Sequence, residues 1–117
     1  MKNKAFHHRL GFAVAGIVEA FRAENSFRLQ CLAAAGVLMA LIGVRPAPIW
    51  WAVAALTVVV VLAAEQFNTA LERLADCLHP QFHPQIKIAK DCAAGAVLLA
   101  SLGGLAVAAA FLFERLS

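Results

Sequence analysis

The sequence predicts an all-α membrane protein, with an N-terminal amphipathic surface helix followed by three transmembrane helices. Three observations carry that expectation. First, 62% of the 117 residues are hydrophobic and only 15% are charged. Soluble domains sit nearer half apolar and a quarter charged, and so short a soluble chain cannot bury that much apolar surface. The mean hydropathy of +0.78 points the same way. Second, the apolar residues fall into three long runs, near 27–44, 49–64 and 92–113. Third, the runs are separated by two proline-containing breaks, Arg45-Pro46-Ala47-Pro48 and the segment from His79 to Gln85. Proline ends one helix and is tolerated at the start of the next.

Taken in order, residues 4–24 form the amphipathic helix. Phe6, Leu10, Ala13, Ile17, Ala20 and Phe21 recur at helical spacing, while Lys4, Arg9, Glu19 and Arg22 supply polarity. A broad apolar side suits a helix lying in the membrane interface, although packing against protein fits the same pattern. Residues 27–44 form the first span, interrupted only by Arg28, Gln30 and glycines. The second helix covers 47–78, with Trp50 and Trp51 placed as aromatic belt residues at a lipid boundary. The third transmembrane helix covers 86–113. Its Gly95, Gly103 and Gly104 permit close helix approach in lipid. The first two uninterrupted runs fall slightly short of the roughly 20 residues of a full crossing, so flanking residues complete them. The whole chain, 1–117, reads as one domain.

The most informative stretch begins where the second apolar run ends, Glu65-Gln66-Phe67-Asn68-Thr69-Ala70-Leu71-Glu72-Arg73-Leu74-Ala75-Asp76. At about 100° per residue, Glu65, Asn68, Glu72 and Asp76 share one face of roughly 80°. Carboxylates near membrane depth need a partner, a cation or a water-filled cavity. Lys2, Lys4, Arg9, Arg22 and Arg28 precede or open the first span, and Arg73, Lys87 and Lys90 lie between the second and third. Only Arg45 and Arg115 fall on the other side. The positive-inside bias therefore places the N-terminus and the acidic face in the cytoplasm.

Several classes are disfavoured. A net charge of +3 with scattered basic residues does not suggest nucleic acid; anionic membrane lipids are the better partner for the basic N-terminus. Cys77, His79, His83 and Cys92 match no compact zinc-site spacing, and Cys31, Cys77 and Cys92 read as reduced, packed thiols. The first 28 residues lack the continuous apolar core of a secretory signal, and no lipidation motif is visible. No glycine-rich phosphate loop is present either.

What remains is a set of polar groups from three helices at one membrane level: Glu24, Asn25 and Arg28, then the stripe, then Lys90 and Asp91. Carboxylates with phosphates hold magnesium, a lysine neutralises phosphate oxygens, and a remaining carboxylate can act as general base. That inventory suits phosphoryl transfer at a membrane surface. Two other readings stay open on the residues alone. The stripe can be polar glue between helices, or Glu65 can be the centre of a small ion-coupled carrier.

The stretch from Glu65 to Asp76 resembles the signature Glu-x-x-Asn-[Ser/Thr]-Ala-[Ile/Leu]-Glu-x-x-x-Asp of the prokaryotic diacylglycerol kinases and the related undecaprenol kinases. The run Ala89-Lys90-Asp91-x-Ala93-Ala94-Gly95-Ala96-Val97-Leu98 and the Glu24-x-x-Phe27-Arg28 motif are similar to two further signatures of that family. The resemblance implies a homotrimeric lipid kinase of the bacterial inner membrane that uses ATP and magnesium and acts on a lipid alcohol. By similarity, Glu65 would be the general base, with Asn68 orienting groups around it and Asp76 in support. Glu24 and Glu72 would hold magnesium on the nucleotide, Lys90 would neutralise the transferring phosphates with Asp91 beside it in the nucleotide site, and His83 would lie near the adenine. Active sites in the family are shared between protomers. Departures fall at Ala5, Phe12 and Gln30, where some members carry an arginine, a tyrosine and an acid; Arg9 lies one turn beyond Ala5. His83-Pro84 and the run from Ala89 lean towards the undecaprenol branch.

Overall fold

A computed structural model describes Asn3 and residues 5–117. Four helices follow one another: α1 Phe6–Ala23, α2 Asn25–Val44, α3 Pro48–Leu78 and α4 Pro84–Leu116. The chain is thus all-helical, with an amphipathic first helix, and α2, α3 and α4 are each long and apolar enough to cross a membrane. Lys2 and Lys4, which entered the charge count, lie outside the described residues.

The prolines set the boundaries. Pro48 and Pro84 occupy first-turn positions of α3 and α4, where a missing N–H costs nothing. The helix expected from residue 86 therefore starts at Pro84, and it continues to Leu116. Between α2 and α3, Arg45 ends its helix in the left-handed region at φ 53°, a conformation usually left to glycine. The α1–α2 break is shorter still. Glu24 alone is extended, serving as C-cap of one helix and N-cap of the next, so α2 begins at Asn25, ahead of the expected residue 27.

Arg28 holds that elbow. One turn into α2, its guanidinium donates back to the carbonyls of Phe21 at 2.9 Å and Arg22 at 2.7 Å. It also bonds Asn25. A cation on the last carbonyls of α1 satisfies orphan acceptors and complements the helix dipole. Ala20 and Phe27, on either side of the elbow, are buried.

The central helix is α3, which packs on α4, α2 and α1, whereas the backbones of α2 and α4 stay apart. At Gly104 α4 comes close to α3, since a Cβ there would lie 3.3 Å from Thr57 Cγ2. Gly95 and Gly103, expected at helix contacts, meet nothing within 4 Å. Lone-chain packing is sparse, and most large apolar side chains of all four helices stay exposed. That includes Phe6, Leu10, Phe12, Ile17 and Phe21 of α1, so protein packing within the chain does not account for the apolar side of this helix. A bilayer does.

Lengths then place the polar groups. An α-helix of 20 residues such as α2 spans about 30 Å, the hydrocarbon thickness. With 31 and 33 residues, α3 and α4 overreach it. Counting from Pro48, Glu65 lies about 26 Å along α3, near the far edge of the hydrocarbon, and Asp76 lies about 16 Å beyond it. At the opposite end Trp50 donates to Glu114 Oε1 at 3.2 Å and meets Phe111 edge-on at 5.1 Å. Arg115 sits over the same Phe111 ring. This is an interfacial anchor, with apolar rings inward and polar tips outward.

Candidate active site

The acidic face of α3 is met by a different neighbour at each level. Deepest is Glu65, whose side chain is only 3% exposed, the one buried charged residue among those described. Its Oε2 accepts from Ser26 Oγ of α2 at 3.1 Å. Ser26 belongs to the first turn of α2, so the positive end of that helix dipole lies beside the carboxylate. A turn outward, Asn68 Nδ2 donates to Glu72 Oε1 at 3.0 Å. Asp76 comes next and pairs with Lys90 of α4 at 2.5 Å. A helix flank closes this end, where Arg73 bridges to Glu19 of α1 at 3.3 Å. Near the same level, Gln66 lies under Gly16 of α1.

The structure distributes the sequence-predicted residues as follows. Glu65, Asn68, Glu72 and Asp76 form a ladder on α3, and Lys90 joins it through Asp76. Asp91 instead pairs with Lys87 of its own helix at 2.6 Å. Glu24 is half-buried at the elbow and makes no side-chain capping bond. His83 caps α4, its Nδ1 accepting from the Gln85 N–H at 3.1 Å, and its ring lies 5.4 Å from His79. Together with Asp76, Lys87 and Lys90, the two histidines line a cleft of about 380 Å³ beside the α3–α4 turn. Sequence reasoning missed Ser26 and the elbow role of Arg28. Ser26 could have been found by depth, because it opens α2 at the level where α3 turns acidic.

Two acceptor oxygens in this region, Asn68 Oδ1 and Gln66 Oε1, are buried without a partner. Buried polar atoms are rarely left so, and an unpartnered amide oxygen beside the Glu72 carboxylate suits a hard cation or a hydroxyl donor. The oxygen donors present therefore fit magnesium. Among the described residues no three His, Cys, Asp or Glu side chains converge on one point. A chain's own carboxylates would thus supply part of a shell, as for magnesium that shares its ligands with phosphates.

Fold and site together define a helical integral membrane protein that displays acid, amide and cation in sequence at one membrane boundary. A model of the prokaryotic diacylglycerol kinase family matches residues 11–112. A diacylglycerol kinase of Synechocystis sp. is 40% identical over 106 residues, covering 90% of this chain and 61% of the relative. An undecaprenol kinase of Bacillus subtilis is 37% identical over 94 residues, 80% of this chain and 73% of the relative. The chain belongs to the prokaryotic diacylglycerol kinase family. It spans about three fifths of the length of the Synechocystis relative.

Proposed function

We propose that this protein is an ATP- and magnesium-dependent kinase that phosphorylates the primary hydroxyl of a membrane lipid alcohol, of undecaprenol or diacylglycerol type. The observation that carries this reading is the ladder itself. A buried carboxylate stands about 26 Å along α3 from Pro48, where a helix crossing the bilayer would leave the hydrocarbon and meet a lipid hydroxyl, and a carboxylate–amide pair and a lysine follow it along the helix face. Membership of the family supports it.

In this reading Glu65 accepts the proton of the lipid hydroxyl as that oxygen attacks the γ-phosphorus of ATP. The new O–P bond forms as the bond to the β-phosphate breaks, and ADP leaves. Asn68 fixes Glu72 through its amide and keeps Oδ1 for the site. Glu72 and Glu24 would hold magnesium, whose charge offsets that of the phosphates. Lys90 faces those phosphates once they compete with Asp76 for its ammonium, with Asp91 beside it. His83 lines the cleft assigned to the adenine.

The chain works as one domain in a homotrimer with shared sites. The open arrangement of α2 and α4 about α3, and the exposed apolar surface of the single chain, support association. The protein sits in the bacterial cytoplasmic membrane with the acidic end inside. Arg9, Arg22, Arg28, Arg73, Lys87 and Lys90 lie towards that end, and only Arg45 and Arg115 towards the other.

The substrate reading leans towards undecaprenol on His83-Pro84 and the run from Ala89, while the two relatives carry one name each. One experiment tests both levels. Purified protein in lipid micelles receives labelled ATP, magnesium and diacylglycerol, undecaprenol or ceramide. Label in a lipid product supports the kinase, and the product identifies the branch. No labelled lipid from any of the three would overturn the reading in favour of a carrier centred on Glu65.

A further inference from the structure

We propose that Ser26 is a positioning residue for Glu65, its hydroxyl holding one carboxylate oxygen so that the other is presented to the lipid hydroxyl. The inference rests on the reading of Glu65 as the base. It starts from the 3.1 Å bond from Ser26 Oγ to Glu65 Oε2, which links α2 to α3 across 39 residues of sequence. The terminal torsion of a glutamate is broad and roughly two-fold, so a carboxylate on three rotatable bonds needs an external partner to define its plane. Ser26 is that partner, and Glu65 is only 3% exposed, so few water molecules reach it to substitute.

The direction of the bond is informative. A serine in the first turn of a helix ordinarily bonds its own backbone. Here the hydroxyl proton goes instead to a carboxylate on another helix. The donor is also held on a rigid element, as positioning demands. Glu24 is the single extended residue before α2, and Arg28 locks the elbow through the carbonyls of Phe21 and Arg22. The serine proton stays on Ser26 throughout. Only the lipid hydroxyl gives up its proton, and Glu65 receives it.

Four variants of the full chain test this in lipid micelles with MgATP and the accepted lipid alcohol: Ser26→Ala, Ser26→Thr, Glu65→Gln and the double variant Ser26→Ala/Glu65→Gln. Ser26 is exposed apart from this bond, so Ser26→Ala is expected to keep the wild-type oligomeric size by gel filtration. Its kcat is expected to fall about 10-fold, the size of one lost hydrogen bond to a charged group. KM for MgATP and for lipid should stay at wild-type values, and Ser26→Thr, which keeps the hydroxyl, should restore kcat. The double variant should be no slower than Glu65→Gln alone. A wild-type kcat in Ser26→Ala beside an inactive Glu65→Gln overturns the role of Ser26 and leaves the base reading standing. Full activity in Glu65→Gln overturns the base reading itself, and the Ser26 proposal with it. A defect in Ser26→Ala confined to KM, or one that threonine does not repair, also contradicts positioning.

Discussion

One face of α3 contributes both an apolar cleft and the acidic ladder, and its two halves differ in almost every property except direction. Trp50, Ala54, Thr57, Val58 and Val61 fall, at about 100° per residue, within the same arc of roughly 100° as Glu65, Asn68, Glu72 and Asp76. Trp50, Ala54, Thr57 and Val58 of the first half, with Val37 and Leu41 of α2 and Val107 and Phe111 of α4, line an apolar cleft of about 280 Å³. In it the Thr57 hydroxyl is turned onto the Val53 carbonyl of its own helix at 2.7 Å. In the second half, polar side chains bond across to α2, α1 and α4. The backbone is one continuous helix along this face, so the change from an apolar to a charged surface comes with a change of residue type and with the arrival of α1 beside α2 and α4. One half packs apolar side chains; the other gathers carboxylates, an amide and a cation.

That contrast can be broken by substitutions in each half. After Glu65 itself, the largest effect should come from Lys90→Ala, which removes the cation expected on the phosphates. We expect kcat/KM for MgATP to drop about 100-fold or more in a coupled ADP-release assay. Glu72→Ala should cost nearly as much and raise the magnesium concentration needed for half-maximal rate. An unchanged magnesium dependence would remove Glu72 from the metal site. Asp76→Asn should matter less. The Asp76–Lys90 pair is largely exposed, and exposed pairs contribute at most about 1 kcal/mol. KM for MgATP is therefore expected to rise about threefold with kcat unchanged. A loss as large as that of Lys90→Ala would mean that Asp76 itself meets the nucleotide. In the apolar half, Trp50→Phe keeps a six-membered ring against Phe111 and loses the bond to Glu114 together with part of the indole's packing area. Its thermal inactivation midpoint should fall by the equivalent of about 1 kcal/mol, and its initial rate should match wild type.

Much of this architecture was legible in the sequence, and the reason is periodicity. The spacing of Glu65, Asn68, Glu72 and Asp76 declares a face because helical geometry is local, and prolines at 46, 48, 80 and 84 declare the breaks for the same reason. The Lys87–Asp91 pair was equally available, as an i, i+4 spacing. What could not be read was register between helices. That Ser26 meets Glu65, that Asp76 takes Lys90 and leaves Asp91 to Lys87, and that Arg28 reaches back over the elbow all depend on how one helix is set beside the next. Local patterns carry no such information. Gly95 and Gly103 make the same point in reverse, because small residues permit a close approach and the chain uses only the one at Gly104.

Glu65, the single buried carboxylate among the described residues, stands at the join between the two halves of that face. The most direct measurement is label transfer from ATP to lipid alcohol by Glu65→Gln, set beside wild type, with folding checked by gel filtration in the same micelles. The amide keeps the shape and loses the proton acceptor. The account predicts a variant of wild-type size whose transfer rate is lower by about 1000-fold or more. A variant that still phosphorylates lipid at the wild-type rate would contradict it.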